Sequence, residues 1–331
     1  LSQTREGIAV ASAGNKILFG GGVDWSSGTG NSSRVDIYDL TTQTWSKAEL
    51  SVARYDITAM AAGSKIFFAG GEAGDGTAPV NTVDIFDVST NTWSASSLSV
   101  AGYSIAPAAV GNKVLFAGGE GGFTGGWPRG SRVDIYDLTT NAWSTHSWSE
   151  VKRGGHSAVT VNNKVYFAGG EGWPANPVMG TWYCSNRIDV YDNATNSWST
   201  SSLSEGKLGH ASIAVDNKIY WAGGYTGTSH PVTRSCTVEI RDVVTGASSI
   251  QYLSKPNDWL SAVTKDNKII YYSSNSSTMF DIYDIATNTW AIGVLPVSMQ
   301  GASIISVNNT IYLAGGKVNG VLSDKVWKLE F

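Results

Sequence analysis

A seven-fold internal repeat constrains the fold of this chain more than any other feature. Each copy contains a short apolar run after a turn, and six of the seven runs end in Gly-Gly, whereas the sixth ends in Ser273-Ser274. The runs begin at Lys16, Lys65, Lys113, Lys164, Lys218, Lys268 and Thr310. A period near fifty residues is typical of propellers and solenoids, in which neighbouring units bury each other's faces.

Composition narrows the class of protein further. The 331 residues are 42% hydrophobic, 11% aromatic and 15% charged, with a net charge of −4, so a large core is available and the composition disfavours disorder. We expect one domain over residues 1–331, no nucleic-acid partner and no membrane insertion, because the sequence has neither a basic tract nor an apolar run of about 18 residues.

Each copy divides into four pieces of strand length. A small apolar run precedes the turn, the run ending in Gly-Gly follows it, and the third piece alternates, as in Val35-Asp-Ile-Tyr-Asp39. A Trp then opens the fourth piece at a constant distance from the third. The residues at this position are Trp45, Trp93, Trp143, Trp198, Ser248 and Trp290. The pattern predicts four strands per copy, with the Trp side chains in structural positions.

The Gly-Gly pair, the Tyr and the spaced Trp together resemble the kelch repeat over essentially the whole chain. The resemblance implies an all-β, seven-bladed kelch-type propeller of four-stranded antiparallel blades, of the secreted bacterial type. The predicted blades span residues 5–50, 54–98, 102–148, 153–203, 207–253, 257–295 and 299–331.

The last blade is incomplete in this sequence. Leu1–Arg5 aligns with Leu50–Arg54, the link between a fourth strand and the next first strand, and the chain ends just after a third strand. Either blade 7 has three strands, or residues ahead of Leu1 have been removed, and we favour the second. A processed chain would agree with export, so we expect a secreted, cell-surface or periplasmic monomer.

The binding face is expected where the long connections lie. In such a propeller the links between blades share a face with the loops between strands 2 and 3, which are the longest loops here. These loops and the starts of the first strands carry aromatic residues outside the repeating positions: Trp25, Phe123, Trp127, Trp173, Trp182, Tyr183 and Tyr225, with Tyr55, Tyr103 and Trp259. They could stack on a ligand or cover the tops of the blades.

Two charged series recur with the repeat on this face. Eleven residues before each run begins, four copies have a cation: Arg5, Arg54, Arg153 and Lys207. Seven residues after it begins, three copies have Glu72, Glu120 and Glu171. The cations could pair with these glutamates across neighbouring loops, or they could clamp an acidic group of a ligand.

Catalytic signatures are weak. His156 and His210 replace an apolar residue of other copies, which favours packing over metal binding, and no axial Tyr-His dipeptide supports the copper radical oxidases that share this propeller. We therefore predict no catalytic residue, metal or cofactor. Scattered acids such as Asp56, Asp258 and the three glutamates leave open a sugar-active enzyme of mutarotase, lyase or oxidase type.

The two cysteines precede third strands of adjacent blades. Cys184 stands before that of blade 4 and Cys236 before that of blade 5, so a disulfide joining two long loops is expected, with free thiols as the alternative. Taken together, the sequence predicts a non-catalytic binding module whose ligand is a carbohydrate or a protein segment, held by loop aromatics and the cations.

Overall fold

A computed structural model describes residues 1–25, 30–74, 78–121, 131–148, 153–172, 183–228, 232–275 and 277–330. The described residues form strands and turns, and the strands make seven consecutive antiparallel sheets. Five sheets have four strands in the order first-second-third-fourth, the sixth has the same four with two short strands added, and the last has three. The predicted all-β propeller of antiparallel blades is therefore confirmed.

The strands of each blade follow the repeat closely. Blades 1 to 4 consist of Ala9–Ala13, Lys16–Gly20, Arg34–Asp39 and Thr44–Glu49; Thr58–Ala62, Lys65–Ala69, Thr82–Asp87 and Thr92–Ser97; Ala106–Val110, Lys113–Ala117, Arg132–Asp137 and Ala142–Ser147; and Ser157–Val161, Lys164–Ala168, Arg187–Asp192 and Ser197–Ser202. Blades 5 to 7 consist of Ala211–Val215, Lys218–Ala222, Thr237–Asp242 and Ser248–Tyr252; Leu260–Lys265, Lys268–Ser273, Ser277–Asp284 and Thr289–Gln300; and Ser303–Val307, Thr310–Ala314 and Val326–Leu329.

Short two-residue strands join the links between blades to the loops between strands 2 and 3. They are Val23–Asp24 with Gly30–Asn31; Arg54–Tyr55, Glu72–Ala73 and Ala78–Pro79; Arg153–Gly154, Glu171–Gly172 and Tyr183–Cys184; Tyr225–Thr226 with Thr233–Arg234; and Lys317–Val318 with Val321–Leu322, which extends the fourth strand of blade 6. These ladders place both kinds of connection on one face of the molecule, which we call the loop face.

The blades form a closed ring. The first strand of each blade contacts the first strands of its neighbours, and Ser303–Val307 of blade 7 contacts Ala9–Ala13 of blade 1. The seam between blades 7 and 1 uses the hydrogen bond found at other seams, since Gly316 N–H donates to the Arg5 carbonyl at 2.7 Å as Gly22 N–H donates to the Arg54 carbonyl at 3.0 Å.

Burial explains why the second strands are apolar throughout and the fourth strands are not. In blade 2 each residue of Ile66–Ala69 has a relative exposure of 0%, because neighbouring blades cover both faces of the sheet. The fourth strand Thr92–Ser97 lies at the outer edge and is mostly exposed. The core is therefore a series of clusters between blades, each built from the inner three strands of two sheets.

The Gly-Gly pair is required by close approach of the backbone. Gly70 and Gly71 have φ of +64° and +100°, and a Cβ on either would come within 2.4 Å and 2.5 Å of the Gly102 and Tyr55 carbonyl oxygens, respectively. Any side chain would push the link away from the sheet, so the pair specifies how blades meet.

The repeating Trp residues hold a structural position. Trp143 pairs with Tyr136 across the third and fourth strands of blade 3, with ring centroids 5.1 Å apart. Its Nε1–H donates to Ser96 Oγ of blade 2 at 2.7 Å, so it also joins neighbouring blades. In blade 5, where Ser248 stands in place of Trp, the guanidinium of Arg241 covers Trp221 instead.

Candidate functional site on the loop face

Paired residues on the loop face surround the opening at the centre of the ring. We call this opening the funnel mouth and the paired residues the rim. Its inner members lie ten residues before the apolar run begins and its outer members seven residues after. Backbone pairing joins Glu6 to Val23, Tyr55 to Glu72, Tyr103 to Glu120, Gly154 to Glu171, Leu208 to Tyr225 and Gln300 to Lys317. In blade 6 the Asn275 side chain donates to Asp258 Oδ1 at 3.0 Å.

The residue after each inner rim position has a left-handed backbone. All seven φ values lie between +48° and +63°, at Gly7, Asp56, Ser104, Gly155, Gly209, Trp259 and Gly301. Glycine takes this conformation freely, whereas other residues are strained by about 1 kcal/mol or more. Asp56, Ser104 and Trp259 therefore hold side chains at the funnel mouth at a cost in stability.

Blade 2 gathers the densest set of polar and aromatic groups on the rim. The Tyr55 hydroxyl donates to Glu72 Oε2, and Trp25 of blade 1 meets the Tyr55 ring edge-on at 6.0 Å while remaining 52% exposed. The Asp56 side chain reaches solvent but is crowded by protein, and this desolvation, with the charge of Glu72, raises its pKa to about 6. Two carboxyl groups are thus close together beside an exposed indole.

Blades 3 and 4 continue the acidic side of the rim. Tyr103 Oη donates to Glu120 Oε2 at 3.4 Å, and Glu120 lies against Gly154 of the next blade, where a Cβ would come within 2.9 Å of Glu120 Oε1. Glu171 pairs through its backbone with Gly154 and is half-buried. The three predicted glutamates therefore form an arc with Asp56 over blades 2 to 4.

The opposite side of the rim carries ion pairs. Lys317 Nζ lies 2.8 Å from Glu6 Oε1, and Arg234 Nε lies 2.7 Å from Asp258 Oδ1. A hydrogen bond to Asp258, together with burial, raises the pKa of the Tyr225 hydroxyl. On this side of the rim Glu6 and Asp258 are therefore each paired with a cation.

The funnel inside the rim contains a cavity of about 340 Å³. Trp259, 47% exposed, forms part of its wall with Ser104, Gly155 and Gly209, and His156 and His210 also line it.

The two histidines pack as the apolar residues of other copies do. The His156 ring lies against Gly118 and the His210 ring against Gly169, each in the preceding blade. Burial, with the nearby cations Arg153 and Lys207, holds the pKa of His210 at about 3, so the ring is neutral. Among the described residues no group of three or more His, Cys, Asp or Glu is placed to hold a metal ion.

The cationic series does not face the funnel, which corrects the prediction that it receives an acidic ligand. Arg5, Arg54, Arg153 and Lys207 all have a relative exposure of 0%. Arg54 Nη2 lies 2.6 Å from Asp84 Oδ2, and the guanidinium also donates to the Thr82 and Phe68 carbonyls.

Equivalent contacts hold the other cations. Arg5 lies 2.5 Å from Asp36, Arg153 pairs with Asp189, and Lys207 lies 2.8 Å from Glu205. The three arginines thereby fix their links to the sheet that follows, and Lys207 does so through a hydrogen bond from its Nζ to Thr237 Oγ1. The predicted pairing with Glu72, Glu120 or Glu171 is therefore also wrong for these four cations.

The acidic partner was missed by sequence reasoning, although a signal was present. The second residue of the third-strand motif is Asp in blades 1 to 4, and it faces the Arg position of the same blade. In blade 5 the two positions hold Lys207 and Glu239, but Lys207 pairs with Glu205 of the link and Glu239 pairs with Arg241. The partner carboxylate also accepts a backbone N–H of the link, since Ser51 N–H donates to Asp84 Oδ1 at 3.1 Å.

Several predicted aromatic residues lie outside the described residues, namely Phe123, Trp127, Trp173 and Trp182. Of the other predicted aromatic residues, Tyr55, Tyr103 and Tyr225 are members of the rim. Trp25 and Trp259 have exposed rings at the funnel mouth.

The cysteines are free thiols, which corrects the predicted disulfide. Their places in the repeat are not equivalent, because Cys184 precedes Ile188 by four residues and Cys236 precedes Val238 by two. Cys184 pairs with Glu171 in the short ladder of blade 4, where burial raises the pKa of its thiol to about 11. Cys236 instead packs against the core between blades 5 and 6.

No helix long and apolar enough to cross a membrane occurs within the part of the chain that the structure describes.

Comparisons with known proteins agree with this architecture. The profile of the KLHDC2/KLHL20/DRC7 Kelch-repeats domain matches residues 2–170. An F-box/kelch-repeat protein of Arabidopsis thaliana is 27% identical over 175 residues, covering 52% of this chain and 50% of that protein. Kelch-like protein terF of Aspergillus terreus is 26% identical over 192 residues, covering 52% of this chain and 40% of that protein.

A third relative, Kelch-like protein 25 of Xenopus laevis, is 30% identical over 104 residues, covering 31% of this chain and 15% of that protein. The matched parts thus span half or less of each relative's length. Kelch repeats generally mediate binding between proteins. The repeat, the closed ring of antiparallel sheets and the matching profile together show that this chain belongs to the kelch-repeat family.

Proposed function

We propose that this propeller is a non-catalytic binding module whose loop face holds a basic segment of a protein partner at the funnel mouth. One observation carries the proposal: the exposed Asp56 lies at the mouth beside exposed aromatic rings, with the buried Glu72 and the half-buried Glu120 and Glu171 on the same side, whereas the ring of cations is buried in the scaffold. The exposed charge that the rim of blade 2 offers to a partner is therefore that of Asp56.

Blade 2 supplies the chemistry for a Lys or Arg side chain. The exposed Asp56 carboxylate can accept charge-assisted hydrogen bonds close to the buried Glu72, and the exposed face of Trp25 can receive the cation or its aliphatic stem. A bound cation would relieve the repulsion between the two carboxyl groups that contributes to the raised pKa of Asp56. Binding and ionisation of Asp56 should therefore favour each other.

A protein segment suits the funnel better than a short saccharide alone. The cavity of about 340 Å³ accepts one or two side chains, and the rim around it offers further contacts to the flanking residues. This choice also agrees with the general role of kelch repeats. A carbohydrate ligand remains an outcome of the binding test below.

The test is a fluorescence-anisotropy titration of labelled peptides against wild-type protein and two variants. We expect Lys/Arg-rich peptides to bind the wild-type protein. Glu72→Gln should weaken their binding by about tenfold, or about 1.4 kcal/mol. Asp216→Asn, on an exposed turn of the opposite face, should leave binding unchanged. Equal loss in both variants, or binding of neutral glycans in place of peptides, would contradict the proposal.

A second candidate is a sugar-active enzyme, favoured by the blade 2 cluster. A carboxyl group with a pKa of about 6 beside the Tyr55–Glu72 pair could transfer a proton near neutral pH. Turnover of a glycan substrate that disappears in Asp56→Asn while binding persists would support it. Absence of turnover across a panel of neutral and acidic glycans would contradict the enzyme and favour the non-catalytic binding module.

A further inference from the structure

Blade 3 departs from a contact that three other blades share. In blades 1, 2 and 4 an arginine of the preceding link is buried against the acidic residue of the third strand, as Arg54 is against Asp84. The equivalent pairs are Arg5–Asp36 and Arg153–Asp189. Blade 3 keeps the acid, Asp134, but has Gly102 at the arginine position. It therefore has a buried carboxyl group without the cation that the repeat provides elsewhere.

Asp134 is buried like its counterparts but has fewer partners. Its relative exposure is 6%, and Ser99 N–H donates to its Oδ1 at 3.0 Å, as Ser51 N–H does to Asp84. In blade 2 the second oxygen, Asp84 Oδ2, accepts a hydrogen bond from Arg54. Over the described ranges of the chain, Asp134 Oδ2 has no hydrogen bond or ion pair. A buried carboxylate without a cation is unfavourable, so a cation brought by a ligand would stabilise the blade.

The other groups that hold a guanidinium are also present in blade 3. In blade 1 the Arg5 guanidinium donates to three backbone carbonyls, at 3.4, 2.6 and 2.6 Å, which belong to Phe19, Gly21 and Arg34. The corresponding residues of blade 3 are Phe116, Gly118 and Arg132. We call their carbonyls, with the Asp134 carboxylate, the blade 3 socket. A cavity of about 30 Å³ is lined by all four residues and by Gly102, and it is about twice as large as one water molecule requires.

The acid of the third strand pairs with guanidinium groups and not with an ammonium group. In blade 5 a lysine takes the arginine position, yet Lys207 pairs with Glu205 of the link, and the third-strand Glu239 pairs with Arg241. A guanidinium is planar and presents several N–H groups in one fork, so it can donate to a carboxylate and to backbone carbonyls together. The acceptors of the blade 3 socket fit that group.

We propose that the blade 3 socket binds the guanidinium group of a ligand, either a small guanidino compound or an arginine side chain of a partner. The group would take the place that the Arg54 guanidinium has in blade 2, with one N–H on Asp134 Oδ2 and others on the carbonyls. Val100 and Ala101 of the link also line the cavity, and Val100 is 49% exposed, so the ligand reaches the socket from the surface beside the link.

The site is separate from the funnel mouth, because the socket lies between a link and the sheet of blade 3. The proposal does not depend on the proposed function. Glu72→Gln, which should weaken a basic peptide at the rim, should leave the socket unchanged, so the two proposals can fail independently.

The test is a calorimetric titration of the 331-residue protein with methylguanidine at constant ionic strength. We expect saturable binding at one site per chain, and binding of methylammonium that is weaker by at least about tenfold. A blocked Gly-Arg-Gly tripeptide is then added as a competitor. Displacement of methylguanidine would assign the socket to an arginine side chain of a polypeptide, and its absence would assign the socket to small guanidino compounds.

A matched pair of variants locates the site. Asp134→Asn keeps an acceptor for Ser99 N–H but removes the charge, so binding should weaken by at least about tenfold. Asp281→Asn is the control, because Asp281 has the same repeat position in blade 6, the same 6% exposure and the same bond from Ser254 N–H, at 2.9 Å. This variant should bind methylguanidine as the wild type does.

Gly102→Arg supplies the guanidinium from the chain itself. It should abolish the binding of methylguanidine and raise the melting temperature. A Cβ at this position would come within 3.1 Å of the Glu120 carbonyl oxygen, so the link must shift slightly. Circular dichroism establishes whether each variant is folded, and if Gly102→Arg is not, the two Asn variants decide.

Three results would overturn the proposal: no saturable binding by the folded wild type, equal binding of methylammonium, or equal losses in Asp134→Asn and Asp281→Asn. A fourth would be binding that appears only in Arg132→Gln, or only in Arg129→Gln, a position outside the described residues. An arginine of this chain would then fill the socket.

Discussion

The buried cations and the rim glutamates recur with the same repeat, yet they lie in different surroundings and have different partners. Arg54 and Glu72 belong to the same blade and lie in adjoining two-residue strands. Arg54 is buried against Asp84, because the third strand of its own blade offers a carboxylate at hydrogen-bonding distance. Glu72 meets the Tyr55 hydroxyl at the funnel mouth. A cation at a repeated position thus does not indicate a ligand site when the third strand of its own blade supplies a carboxylate.

The largest expected effect is the loss of a buried cation. Arg54→Ala leaves Asp84 buried without its ion pair, which should lower the free energy of unfolding by about 3–5 kcal/mol. Urea denaturation measures the change. Arg34→Ala is the matched control, because the Arg34–Glu49 pair at 3.0 Å is partly exposed and should contribute at most about 1 kcal/mol. Equal losses of unfolding free energy in the two variants would contradict the distinction between buried scaffold charges and surface charges.

The rim should show the converse behaviour. Glu72→Gln combined with Glu120→Gln keeps hydrogen-bonding groups on the tyrosines, so the free energy of unfolding should change by no more than about 1 kcal/mol. Affinity for a basic peptide should fall by at least about tenfold, or about 1.4 kcal/mol. Calorimetric titration and urea denaturation on the same samples separate the two quantities. A large loss of stability with unchanged affinity would make the rim part of the scaffold.

Asp56 offers a smaller effect of opposite sign. Because the φ of Asp56 is +50°, Asp56→Gly should remove backbone strain and raise the free energy of unfolding by up to about 1 kcal/mol. The same change should weaken the binding of the basic peptide. Gly7→Ala is the reverse control. Gly7 has φ of +63°, and a Cβ added there would meet no atom within 4 Å, so that variant isolates the backbone cost, about 1 kcal/mol of destabilisation. Destabilisation by Asp56→Gly would contradict a strained functional residue.

The pH dependence should be the most modest effect. The pKa of Asp56 is raised from 3.8 to about 6, so the folded state binds its proton more tightly than the unfolded state. Its contribution to stability therefore falls as pH rises from about 4 to about 6, and affinity for a basic peptide rises over the same window as Asp56 ionises. Asp56→Asn should remove both trends, and thermal melts and titrations at pH 4 to 7 would record them.

The sequence predicted the scaffold well because the scaffold is periodic. Gly70-Gly71, the Tyr and Trp of each blade and the alternating third strands each fix a local contact, and the repetition of these contacts specifies the ring. The same period misled the site prediction. It aligned Arg54 and Glu72 as neighbouring charges but carried no information about side-chain direction, so the role of Asp84 was missed.

The predicted disulfide was wrong for a related reason, since Cys184 and Cys236 lie at different distances along the sequence from their third strands. Trp127, Trp173 and Trp182 lie outside the described residues, so their expected role in ligand binding stays a prediction. The expectation of an exported monomer stays a prediction.

The most direct test of the central claim is the charge preference of the loop face. Dissociation constants of a Lys/Arg-rich peptide and of an Asp/Glu-rich peptide of equal length would be measured for wild type and for Glu72→Gln/Glu120→Gln. The account predicts that wild type binds the basic peptide at least about tenfold more tightly, and that the double variant loses this preference. Preference for the acidic peptide, unchanged in the double variant, would show that cations form the site after all.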